Sequence, residues 1–274
     1  MQLSTKHEQP AMQRARGAID LAFATGKLER FFQSGSAKVF MPKTYAATTE
    51  AVLVNTAGGL ADGDDFQIRI STDSGTHLTV STQTAERVYR ALGAQTANMR
   101  IDMQLAGNAS LHWLPQETIL FDDARFSRQL NVEMDADASF LASEMIVFGR
   151  TAMQETVRKG SLRDHWRIRR GDRLVHAEAL RLDGDIRQKM NHMASAANSI
   201  CLSTIIYISP DAEDRVGAAR TFFKDYPATK TAVTAWDGKL VIRSLGDDTA
   251  QLKKTLAQFI EQFRKIANPR VWNY

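Results

Sequence analysis

Cysteine is nearly absent from the 274 residues: Cys201 stands alone. That excludes an internal disulfide and any thiolate-rich zinc or iron–sulfur cage. Long apolar runs are missing as well. No stretch approaches the roughly 20 residues needed to cross a bilayer, and the opening MQLSTKHEQPAMQRARG lacks the apolar core of a signal peptide. The chain therefore reads as a soluble protein of a reducing compartment, the cytoplasm, with no membrane partner. Neither sign of charge dominates, 35 Lys and Arg against 31 Asp and Glu giving +4, and 43% apolar with 24% charged residues is ordinary for a globular protein. Disorder, collagen-like repeats and a coiled coil are excluded on that ground. With no low-complexity tract, linker or internal repeat, residues 1–274 read as one domain, 1–13 being a flexible N-terminal segment.

Catalytic signatures are missing too. The Gly26-Lys27 pair has Leu21 where a phosphate-binding loop needs its first glycine and Leu28 where it needs Ser or Thr. No G-x-G-x-x-G, H-E-x-x-H or G-x-S-x-G occurs, which removes the simplest dinucleotide, zinc-protease and esterase readings. The histidines, His7, His77, His112, His165, His176 and His192, come no closer than eleven residues, so no local metal cage is encoded and each reads as an ordinary polar or core side chain. No catalytic residue and no tight metal site are expected.

Charge is banded rather than spread. Residues 158–189 carry ten Lys and Arg against five acids, while 113–150 carry seven acids against three arginines. A nucleic-acid surface needs aromatics interleaved with such basic residues, and only Trp166 interrupts this band. The arginines therefore read as a solvated strand face, with no nucleic-acid partner.

What is present is period-two patterning. Phe66, Ile68 and Ile70; Met99, Ile101, Met103 and Leu105; and Leu130, Val132 and Met134 alternate with polar residues, the mark of half-buried strands. Gly/Asp turns at 62–64, 73–75, 106–108, 170–172, 183–185 and 237–239 separate short strands, which predicts a large antiparallel β domain. Helical spacing is confined to the C-terminal half. Leu252, Leu256, Phe259, Phe263 and Ile266 follow capping residues Asp247, Asp248 and Thr249, and a second helix is expected from Ser209 as cap, with Pro210 first and Val216, Ala219 and Phe223 on one face.

Three acids stand out against this background. In RLVHAEALRL, residues 173–182, alternation puts Leu174, His176, Glu178, Leu180 and Leu182 on one face, an imidazole and a carboxylate within an apolar row. Glu117 and Glu144 lie in runs apolar on both faces. Burying such groups unpaired costs several kcal/mol, so each either pairs, with Arg87, Arg90 or Arg150 for Glu117 and Glu144 and an arginine for Glu178, or lines a wet cavity.

A set of blocks resembles the urease accessory protein family UreD, also called UreH. It comprises Asn55-Thr56-Ala57-Gly58-Gly59-Leu60, Thr82-Gln83-Thr84-Ala85-Glu86-Arg87-Val88-Tyr89-Arg90, Trp113-Leu114-Pro115-Gln116-Glu117, Phe148-Gly149-Arg150, Arg163-Asp164 with Trp166-Arg167, and Pro269-Arg270-Val271-Trp272. Where the family commonly has a Gly-Gly-Asp turn, this chain has Asp62-Gly63-Asp64, which argues against a need for positive φ at position 62. The resemblance implies a mainly β, elongated helical arrangement of strands with two helices. It also implies a nickel-insertion chaperone that binds apo-urease, recruits UreF and through it the GTPase UreG, and has an apolar patch covered by UreF. Nickel would be transient cargo, with no resident cofactor, and an internal passage lined by oxygens is the expected route, since tight N/S cages would not release the ion. Candidate passage residues are Asp62, Asp64, Thr82, Gln83, Glu86, Glu117, Glu144, Glu178 and His176; Asn55, Gly58, Gly59, Arg87, Tyr89, Arg90, Trp113, Pro115, Arg150, Arg163 and Trp166 are expected to be structural. The alternative is a docking scaffold that opens urease without conducting nickel.

Overall fold

The computed structural model describes residues 14–25, 27–43, 48–150, 153, 155–227 and 229–273, so the N-terminal segment 1–13 lies outside the described residues. Two sheets face each other. The first holds β1 (Arg16–Ala24), β2 (Lys27–Gly35), β5 (Asp65–Thr72), β8 (Ala97–Leu105), β11 (Arg125–Met134), β13 (Lys159–Arg170) and β14 (Arg173–Asp185). The second holds β3 (Ala37–Phe40), β4 (Thr49–Asn55), β6 (His77–Thr82), β9 (Ser110–Leu114), β12 (Ser139–Phe148), β15 (Cys201–Ile208), β16 (Lys230–Trp236) and β17 (Lys239–Gly246), with the short β7 (Glu86–Val88) and β10 (Thr118–Leu120) beside β12.

The mainly β class stands, but the pairing differs from the antiparallel expectation. From β5 to β13 the chain winds from one sheet to the other and back, so neighbours within a sheet come from successive windings and run parallel: β5 with β8, β8 with β11, β11 with β13, β6 with β9 and β9 with β12. Antiparallel pairs close the ends, β1 with β2, β3 with β4, β13 with β14, and β12, β15, β17 and β16 in turn. The turns at 73–75 and 106–108 are thus corners between sheets, and those at 170–172 and 237–239 are true hairpins. The 183–185 segment is no turn; β14 runs through it, and Asp185 caps a third, unexpected helix, α1 (Ile186–Asn191).

Period two places the core. Ile68, Ile101, Leu130, Val132 and Ile168 meet Leu78, Val80, Leu111 and Phe140 between the sheets. The outer face of the first sheet is solvated, with Arg69, Arg100, Arg163 and Arg167 exposed, so the basic band there is a wet strand face. The outer face of the second sheet is covered by α2 (Val216–Lys224) and α3 (Thr249–Arg264): Leu141, Met145, Val147, Ile205 and Ile242 pack with Phe223, Leu252, Leu256 and Phe259. Cover on both faces explains the continuous apolar run of β12. At the opposite end, β2 and β3 leave Leu28, Phe31, Phe32 and Phe40 exposed.

Helix ends differ from expectation in instructive ways. α2 begins at Val216 because residues 210–215 form successive turns in which Asp211 is held by Tyr207 and Arg215. α3 stops at Arg264, since Lys265 turns left-handed at φ 56°, and Ile266 lies beyond it. In β14 a bulge opposite Ile168 and Arg169 swings Leu174 outward and puts Val175 inside, while His176, Glu178, Leu180 and Leu182 keep their shared face. The Asp248 carboxylate accepts from the Gln251 amide at 3.0 Å, a cap worth about 1 kcal/mol, whereas truncating a buried Phe costs about 3–5 kcal/mol. Urea denaturation of Asp248→Ala and Phe259→Ala is expected to show that order, the face outweighing the cap.

Candidate functional site

Register brings one cation and two carboxylates together inside the sandwich. Arg128 on β11 is the cross-strand partner of Asp164 on β13, and both point inward. The guanidinium forks onto Asp164, Nε to Oδ1 at 3.0 Å and Nη2 to Oδ2 at 2.6 Å, while Nη1 donates across the gap to Glu144 on β12 and lies 3.5 Å from the Thr118 hydroxyl. Two indoles complete the shell: Trp113 Nε1 donates to Glu144 at 2.7 Å and Trp166 Nε1 to Asp164 at 3.0 Å. Arg128, Glu144 and Asp164 are 2%, 3% and 5% exposed, so one cation and two carboxyl groups share a nearly buried site. Burial opposes the Arg128 charge, but Asp164 and Glu144 outweigh it and hold the guanidinium above its usual pKa. Burial likewise pushes the Glu144 carboxyl up, against the pull of Arg128, with Asp164 adding to the rise.

Two cavities meet at this triad. One, with room for about 580 Å³ of solvent, lies between β14 and strands β15, β16 and β17, and it is lined by Arg128, Glu144, Asp164, Glu178, Thr204 and Arg243 among others. The second is a cleft of about 40 Å³, room for roughly three waters, whose wall includes Asn55, Thr82, Glu86, Gln116, Arg128 and Glu144. Arg128 and Glu144 are common to both, so their ion pair is the partition between them.

Each cavity carries one more acid. Glu178 Oε2 sits 3.0 Å from Arg243 of the opposite sheet and 3.4 Å from His176 Nε2; burial raises its pKa, and these two neighbours pull it below the usual value. Glu86 accepts from the Asn55 side chain at 3.2 Å. Burial dominates there, Asn55 and Arg87 oppose it only in part, and the carboxyl is pushed up to about 7. Among the described residues no three His, Cys, Asp or Glu side chains converge as a metal-ligand group. His112 lies beneath α3, accepts from Arg264 at 3.0 Å, and is held to about 3 by burial and by the charges of Arg264 and His77, which makes it a neutral structural imidazole.

A family model described as UreD urease accessory protein matches residues 15–273. The chain belongs to the UreD family. It is 39% identical over 276 residues to the urease accessory protein UreD of Rhizobium leguminosarum bv. trifolii, all of both chains being covered, and 37% identical to that of Azorhizobium caulinodans, covering 96% of this chain and 97% of the relative. UreD of Agrobacterium fabrum is 39% identical, covering 97% and 94%. UreD membership supports a role in urease maturation. No helix among the described residues is long and apolar enough to cross a membrane.

Three of the UreD-like blocks, 55–60, 82–90 and 113–117, contribute to the wall of the cleft. Gly59, at φ 154°, sits where a Cβ would come within 2.6 Å of the Arg87 carbonyl, and the Tyr89 hydroxyl donates to the Gly58 carbonyl at 2.9 Å. Pro115 lines the cleft. Arg90 lies 3.6 Å from Asp122, Arg150 pairs with Glu155 at 2.8 Å and stacks on Phe121, and Arg163 is exposed.

Of the candidate passage residues, Glu144 and Glu178 reach the larger cavity and Thr82, Glu86 and Glu144 the cleft, whereas His176 touches Glu178 from behind. The others go elsewhere. Asp62 and Asp64 are consumed by backbone amides, those of Leu92 and Gly93 and those of Ala15 and Ala61, with Arg14 also on Asp62. The left-handed residue of that turn is Gly63, at φ 83°, so the acid at 62 meets no backbone conflict. Gln83 is exposed, and Glu117 pairs with Lys253 at 2.8 Å on the α3 side of the second sheet. Among the described residues the anticipated partners Arg87, Arg90 and Arg150 pair with neither Glu117 nor Glu144; Arg90 lies against Asp122 and Arg150 is engaged by Glu155.

Arg128 and Asp164 were not anticipated as site residues. The signal exists: extending the Leu130, Val132, Met134 alternation backwards puts Arg128 on the buried face, and the spacing of Trp166 and Ile168 does the same for Asp164.

Glu86 yields a pH prediction. Between its usual 4.5 and about 7 the folded chain holds a proton that the unfolded chain has lost; the contribution is complete below 4.5 and is lost as pH rises through 7. Glu86→Gln is expected to leave stability below pH 4 nearly unchanged and raise it by about 3 kcal/mol at pH 8, read by urea denaturation.

Proposed function

We propose that this chain is a non-catalytic urease maturation chaperone of the cytoplasm, binding apo-urease, recruiting UreF and through it UreG, and giving nickel an internal route toward the urease active site. The observation that carries the transit reading is the placement of Glu178, Glu144, Asp164 and Glu86 along two cavities that meet at one ion pair. Scattered carboxylate, hydroxyl and amide oxygens offer a divalent cation shallow wells, which suits passage better than storage. Nickel here is cargo, and no group of this chain is assigned to hold it permanently.

A specific observation favours the docking scaffold as second reading: the partition between the cavities is a closed ion pair, with both carboxylates already engaged by Arg128. The two readings separate by obstruction. Thr204 lines the larger cavity and is the register neighbour of Glu144, so Thr204→Trp fills the space beside the triad without touching its charges. Transit predicts that Thr204→Trp, and Glu178→Ala, lower the nickel content of matured urease several-fold while pull-down of urease and UreF persists. Undiminished nickel with intact pull-down would leave the scaffold.

A further inference from the structure

Desolvation makes the triad a poor source of stability. Replacing such a buried group by apolar residues is commonly neutral or favourable, so the presence of Arg128 calls for a role other than holding the fold. Its bonding is lopsided. Two contacts fork onto Asp164 from the adjacent strand, whereas a single nitrogen reaches Glu144 in the opposite sheet. The fork is the stronger, geometrically fixed half, and the Glu144 contact is the one that a side-chain rotation can break. Trp113 keeps its hydrogen bond to the other Glu144 oxygen, so the carboxylate stays aimed at the partition when Arg128 leaves it.

We infer that Arg128 is an internal counter-cation that occupies the place between Glu144 and Asp164, keeping the partition between the two cavities from trapping a divalent cation while remaining displaceable from Glu144. This rests on the transit reading and specifies its regulation. With Arg128 present, an arriving cation competes with a covalently tethered one for Glu144 and meets the positive charge of the guanidinium, so it is held loosely. Without it, two buried carboxylates face each other with no compensating charge, and oxygen ligands in that state bind a hard or borderline cation tightly.

The test uses tag-free full-length chain and Ni²⁺ alone, by equilibrium dialysis and by thermal melting with and without the ion. Arg128→Met, of similar reach, is expected to bind one Ni²⁺ at least tenfold more tightly than the unaltered chain and to show a melting temperature that rises with Ni²⁺, which the unaltered chain does not. Arg128→Lys keeps a charge and the fold but cannot bridge both carboxylates, and it is expected to fall between the two; it decides the matter if the Met variant does not fold. Adding Glu144→Gln or Asp164→Asn to Arg128→Met is expected to abolish the gain. Binding no tighter than the unaltered chain in the soluble variants, or a gain that survives both additions, overturns the proposal. Since no urease is present, this outcome is separable from that of Thr204→Trp: a variant that traps nickel while Thr204→Trp leaves urease fully loaded keeps the counter-cation role and removes the transit route.

Discussion

A guanidinium shared by two carboxylates in the middle of a sandwich loses the hydration of three charges, several kcal/mol for each ion, and recovers it only through close geometry and completed hydrogen bonds. Arg128 meets that condition through the Asp164 fork, the Glu144 contact and the two indole donors. The rest of the interior is arranged around this constraint. Parallel register sets Arg128 beside Asp164 on one sheet, and the facing sheet brings Glu144 to the same level.

The winding of the chain explains how so polar a layer is tolerated. Strands that alternate between sheets leave an apolar core at one level, Ile68, Ile101, Leu130 and Val132 among its members, and the polar residues at another. Between β14 and strands β15, β16 and β17 the interior opens into the larger cavity, and there Glu178 and Arg243 span the gap. The triad thus has a wet side at the larger cavity and the dry core on its other flank. The helices settle a separate matter, covering the outer face of the second sheet so that its strands are buried twice.

Membership in the UreD family gives the role in urease maturation, and the physical chemistry gives reasons for the form of the interior. A carrier needs oxygens in low number and a means of preventing them from closing on the ion. On the transit reading proposed above, acids set apart by register would meet the first need, and Arg128, as the resident cation, the second.

Alternation in the sequence was enough to determine the strands, the α3 helix and the inward face of His176 and Glu178, because those depend on which neighbours along the chain share a side. It also contained the anomaly of Glu144, a carboxylate in a run apolar on both faces. It could not reveal parallel pairing, since a Gly/Asp turn looks the same at a hairpin and at a corner between sheets. Nor could it reveal that Asp62 and Asp64 spend their oxygens on backbone amides, that Glu117 meets Lys253, or that Arg128 is the partner of Glu144 sixteen residues away. Those are meetings across space between strands and loops whose register is fixed by the packing of the whole sandwich, and only the tertiary structure decided them.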